Sequence, residues 1–202
     1  MTYQPQHPGR ADGPGGKFQI SNLRFQIWAL ALLVLFAATS ASHAQPPPRE
    51  YQIRAVFLLH FAQFTEWPAD AFTNKEEPLV IGVLGSNPFG TFLSETVSNE
   101  TVQGRPLAVA LYNRVEEIKS CHILYISQSE SERLGRVVSV LRNKPVLTVS
   151  DIDGADERGV IVRFEKDHNR IKLALNLQAM KTARLNVSSK LLRLVKLTDS
   201  RK

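Results

Sequence analysis

The amino-acid sequence predicts an α/β domain: a mainly parallel sheet with helices on both faces and an antiparallel hairpin at one edge. Three observations carry that expectation. The short aliphatic runs "LVIGVLG", "CHILYIS" and "KPVLTVS" lack polar alternation, as strands buried on both faces do. Helical stretches separate them, the order of βαβ units with right-handed crossovers. After Asp151, two strand-like runs, Val160–Glu165 and Arg170–Leu175, flank the polar turn Lys166–Asn169 and read as a hairpin.

The chain has 202 residues, and its first 44 differ in kind from the rest. A polar front is followed by Arg24, the 12-residue apolar run Ile27–Ala38 and then "SHA" at Ser42–Ala44. The run is shorter than the ~20 residues a spanning helix needs. A basic flank, a short apolar core and a small-residue site read as a secretory signal peptide over residues 1–44, cleaved after Ala44; an uncleaved anchor is the alternative. Export would place the protein in the periplasm. Residues 45–50, "QPPPRE", form a stiff lead-in, because proline fixes φ and resists helix. Residues 51–198 suit a single domain with one core, and 199–202 make a polar tail.

From Gln45 onward there are 158 residues with 22 Lys plus Arg and 18 Asp plus Glu, a net charge of +4. That balance, with export, argues against a nucleic-acid partner. Cys121 is the only cysteine, so no internal disulfide can form. It reads as a small buried hydrophobe, with an intermolecular bridge or a redox role as alternatives.

The elements follow in order. A helix runs from about Tyr51 to Trp67 and stops before Pro68. The strand Leu79–Gly85 leads to a helix over "FGTFLSETVSN", with Asn87 as cap and Pro88 in its first turn. "GRPLAVALY" is a second strand, "RVEEIKS" a helical turn and "CHILYIS" a third strand. Ser127 or Ser129 caps a helix on which Leu134, Val137, Val138 and Leu141 keep helical spacing. "KPVLTVS" is a fourth strand, the hairpin follows, and a last helix covers about Ser188–Leu197. On it Lys190, Arg193 and Lys196 share one face, either a solvated face or a contact for an acidic partner.

The first helix, "RAVFLLHFAQFTEWP", is unusual. Gln52, His60, Gln63, Glu66 and Asp70 fall in a stripe of about 120°, and the remainder is apolar. That is roughly twice the width a helix on one sheet face requires. Either other elements of the chain cover it or a partner does. Phe57, His60, Phe61, Phe64 and Trp67 are the candidate partner-binding residues.

Catalytic motifs are not found: there is no G-x-S-x-G elbow and no H-E-x-x-H pair. His60, His122 and His168 have no metal-ligand spacing. "SDIDGADERG" gathers Asp151, Asp153, Asp156 and Glu157, but Gly154 and Val162 break the register of a calcium loop, so a solvated acidic loop is expected. Gly85, Ser86, Asn87, Ser127 and Asp151 would meet at the C-terminal ends of the parallel strands, where open α/β sheets bind ligands. They are the candidate small-ligand residues. No catalytic residue, cofactor or metal site is assigned.

The helix "RAVFLLHFAQFTEWP", followed in order by "IGVLGSNPFG", "VQGRPLAV", "CHILYIS", "VLTVSD", "GVIVRF" and "NVSSKLLRL", resembles the YfiR family of periplasmic proteins. The resemblance implies a compact α/β domain, often dimeric. It implies a non-catalytic repressor that binds the periplasmic sensor part of an inner-membrane diguanylate cyclase and restrains cyclic-di-GMP synthesis and biofilm formation. An outer-membrane lipoprotein can sequester such a repressor. His60 stands where the family commonly has Asn, and Gln63 where it has Lys. Some members carry internal disulfides, which Cys121 alone cannot supply.

Overall fold

A computed structural model describes residues 47–167, 170–192 and 195–198. The expected signal peptide, the polar tail, the His168–Asn169 turn and Arg193 lie outside the described residues. Among the described residues no helix is long and apolar enough to cross a membrane.

Helix α1, Arg49–Phe64, leads out of the proline lead-in with Pro48 at its N-cap. It ends earlier than its apolar pattern predicts. Thr65–Glu66 (β1) turns extended and pairs antiparallel with Asn186–Val187 (β9). A two-residue ladder between segments some 120 residues apart in sequence thus overrides local helix preference at Thr65.

The main sheet contains β2 (Leu79–Leu84), β3 (Thr101–Val102), β4 (Arg105–Tyr112), β5 (Ile123–Ile126) and β6 (Leu147–Ser150). It continues with β7 (Val162–Asp167), β8 (Arg170–Asn176) and β10 (Val195–Thr198). Their spatial order is β10-β8-β7-β6-β5-β2-β4-β3. The strands β4, β2, β5, β6 and β7 are mutually parallel, and β7–β8 is the expected antiparallel hairpin. Beyond it β10 lies parallel to β8. The central five follow the doubly wound order in which the first strand sits between the second and the third.

Alternate residues of these strands face two cores. Ile81, Val83, Ile123, Tyr125, Leu147 and Val149 lie under α1 and under α2, Phe92–Val97. Leu84, Leu124 and Ile126 lie under α3, Leu134–Leu141. Helices therefore cover both faces, as the unbroken apolar runs require. Three local expectations are corrected. Asn87 and Pro88 begin a turn: Phe89 N–H donates to Asn87 Oδ1 at 3.0 Å, and the helix starts only at Phe92. Ser127 precedes, and Ser129 lies in, the short 3-10 turn Gln128–Glu130, and neither caps an α-helix. The last predicted helix is only α5, Ser189–Leu192; Lys196 lies on β10, so the proposed basic helical face does not form. The sequence pattern also leaves out the short α4, Leu177–Thr182, capped by Asn176 Oδ1 accepting Ala179 N–H at 2.8 Å.

Candidate functional site

α1 rests on the sheet through Ala55, Leu58, Phe61 and Ala62, all fully buried. Phe57 and Phe64 are half-buried against the same core. The Phe57 and Phe61 rings meet Phe164 of β7 at centroid distances of 6.0 and 6.1 Å. The chain thus covers much of the apolar circumference of α1, but not all. Ile53 and Val56 stay 41% and 39% exposed. At 100° per residue they fall beside His60 and Gln63 on the outward side. Phe61 is fully buried in the core. Trp67, just past β1, is half-buried and donates Nε1–H to the His122 carbonyl at 3.3 Å. Of the five candidate partner residues, Phe57, His60 and Phe64 border the open stripe.

Arg54 is the unexpected member of this helix. Its apolar neighbours draw it inward, and it is 5% exposed. Its Nη1 donates to Asp151 Oδ2 and its Nη2 to Glu50 Oε1, at 2.5 Å for the latter. Tyr51 O–H donates to the same Asp151 oxygen at 3.1 Å. The guanidinium carbon lies 4.6 Å from the Tyr51 ring centroid and 5.5 Å from that of Phe164. A buried charge survives only when paired, and this one is held by two carboxylates and two ring faces. Burial, then the Asp151 charge, push the Tyr51 and Tyr125 phenols above their ordinary value. The acidic loop is therefore not uniformly solvated. Asp151 serves α1, and Asp156 is buried and accepts from Arg163 Nε. Asp153 and Glu157 do face water.

The candidate small-ligand residues do converge at the ends of β2, β5 and β6. Their hydrogen bonds go to the segments around them. Gly85 N–H donates to the Tyr112 carbonyl at 2.9 Å, and Ser127 N–H to that of Leu84 at 3.1 Å. Ser86 N–H donates to Ser129 Oγ at 2.9 Å. Gly85 has φ +86°, and a Cβ there would lie 2.3 Å from Ser129 Oγ. The turn carrying Ser129 and the buried Glu130 fills the crevice where the strand order reverses. Asn87 Nδ2 donates to the Gly90 carbonyl at 3.0 Å.

His122 occupies a third polar niche. Val80 N–H donates to its Nδ1 at 3.1 Å, and its Nε2 lies 3.2 Å from the Ala71 carbonyl. The Phe72 ring stacks on it at 4.2 Å. Burial holds the imidazole below its usual pKa, and the two backbone partners select the neutral tautomer protonated on Nε2. Cys121, on the opposite face, is a buried free thiol pushed up to about 12 by burial, which is the structural reading of its role. Among the described residues no group of three or more His, Cys, Asp or Glu side chains converges to hold a metal.

The fold is that of a doubly wound α/β domain, and its first helix leaves Ile53 and Val56 partly exposed. The YfiR/HmsC-like family model matches residues 51–196, and the chain belongs to that family. No curated protein matches it. The family is one of non-catalytic periplasmic regulators of diguanylate cyclases.

Proposed function

We propose that the protein is an exported, non-catalytic repressor that docks the exposed face of α1 on the periplasmic sensor part of an inner-membrane diguanylate cyclase. Docking holds the cyclase inactive and lowers cyclic-di-GMP and, with it, biofilm formation. The observation that carries this reading is the exposure of Ile53 and Val56 on a helix otherwise sunk into the core. Two β-branched and aliphatic side chains left open beside half-buried Phe57, His60 and Phe64 form an apolar centre with a polar rim of Arg49, Gln52 and Gln63. The same face suits a second copy of the chain in a homodimer. An outer-membrane lipoprotein that covered it would compete with the cyclase and relieve repression.

The test uses Ile53→Asp and Val56→Asp. Both positions are exposed, so the fold tolerates the charge. Pull-down of detergent-solubilised membranes with the mature chain recovers the cyclase with wild type and loses it with either variant. Cyclic-di-GMP rises in a strain carrying the variant alone. Folded variants that capture the cyclase as well as wild type would exclude α1 as the docking face.

A further inference from the structure

Away from α1, on the other side of β6, lies a groove of about 440 Å³ between α3 and α4. Its size falls in the range of small-molecule sites, roughly 300–1,000 Å³. Val138, Leu141, Val146 and Ala179 give it an apolar wall. The buried polar groups of its floor are already satisfied. Thr148 Oγ1 accepts Ile161 N–H at 2.9 Å, and Asn176 Nδ2 donates to the Asp156 carbonyl at 2.7 Å. The rim differs. Arg142, Ser139 and Gln178 are exposed at the groove, and their side chains are not committed to any described residue, so they can exchange water for a ligand. Arg158 gives Nη2 to the Ser131 carbonyl at 2.7 Å, and Glu157 adds one negative charge at the mouth.

Gly135 is the second observation. It is the second residue of α3, a position that glycine does not favour over alanine. Its φ is not positive, and a Cβ built on it meets nothing within 4 Å. Neither backbone conformation nor crowding requires glycine there. What its missing side chain leaves is open width in the groove that it lines.

We infer that the groove between α3 and α4 binds a small monocarboxylate with an apolar body, its carboxylate on Arg142, Ser139 and Gln178 and its body along Val138, Val146 and Ala179. One uncommitted guanidinium suits one negative charge. A dianionic phosphate would bring a second charge toward Glu157. The inference stands apart from the docking role of α1, since no groove residue belongs to that helix.

The mature protein is tested by thermal shift with 3-phenylpropionate, with 3-phenylpropan-1-ol and with inorganic phosphate. The acid raises Tm, while the alcohol and phosphate leave it unchanged. Arg142→Gln weakens binding of the acid roughly tenfold or more, as loss of a charged hydrogen bond does. Gly135→Leu fills the groove and abolishes the shift, while the ligand-free protein melts at the same or a higher temperature. Four results would each overturn the inference: no shift with any probe, an equal shift with the alcohol, a phosphate shift lost in Arg142→Gln, or an acid shift retained in Gly135→Leu.

Discussion

Replacing Asp151 with alanine tests whether Arg54 anchors α1. Asp151 Oδ2 takes both the Arg54 guanidinium and the Tyr51 hydroxyl, and the Arg54 and Asp151 side chains are 6% and 4% exposed. Without it the guanidinium keeps only Glu50 and the Tyr51 and Phe164 ring faces. Breaking a buried ion pair from one side costs about 3–5 kcal/mol, because the remaining charge stays buried and uncompensated. Native domains have a total stability of about 5–15 kcal/mol, so the loss is a large fraction. At about 2–4 °C per kcal/mol for a chain of this length, Tm falls by roughly 6–20 °C. Urea unfolding followed by far-UV circular dichroism measures the change directly. The double variant Arg54→Met with Asp151→Leu recovers most of the loss, since it removes both charges and keeps the volume. A cost below about 1 kcal/mol for Asp151→Ala would show that water reaches Arg54, and that the ion pair does not hold the helix.

Further outcomes follow from single side chains. His122 is held below 6.5, so the unfolded chain binds more protons once the pH drops through that value; stability present above about pH 6.5 is lost as pH falls toward the folded pKa. Chemical denaturation between pH 7.5 and 5 records that slope, and His122→Phe flattens it while lowering stability at every pH. Cys121, with its thiol near 12, resists maleimide in the native state and reacts once urea opens the fold; labelling at the native rate of a free thiol would contradict its burial. Gly82→Ala costs about 1–3 kcal/mol in urea unfolding, because its Cβ would lie 2.8 Å from both Cys121 Sγ and Tyr112 Cε2.

The elements legible in the sequence were those whose burial leaves a pattern. β2, β5 and β6 are buried on both faces and read as unbroken aliphatic runs. α3 shows Leu134, Val137 and Leu141 at helical spacing, and these are its buried residues. The two-residue strands β1, β3 and β9 leave no such trace: they are too short to show a period, and β1 and β9 are set by distant pairing. β3 and β4 meet at a tight turn with Gln103 and Gly104 at positive φ, a signal in "VQGR" that periodicity alone does not detect. Arg54 was hidden for a different reason. On a helix drawn at 100° per residue it belongs to the apolar side, and only Asp151, 97 residues away, makes that burial tolerable. The candidate ligand residues were placed correctly at the strand ends, but sequence spacing does not reveal that Ser129 and Glu130 fold back to fill the space.

The tie between the two ends of the domain has a bearing on timing. α1 packs on β2 and α2, which follow soon after it in the chain, but it is also fastened to Asp151 and, through β1, to β9. A chain made N-terminus first cannot complete the contacts of its opening helix until β9 is available. Such long-range closure is costly in chain entropy and slows folding, so the step that locks the helix to both distant anchors is the one that sets the pace.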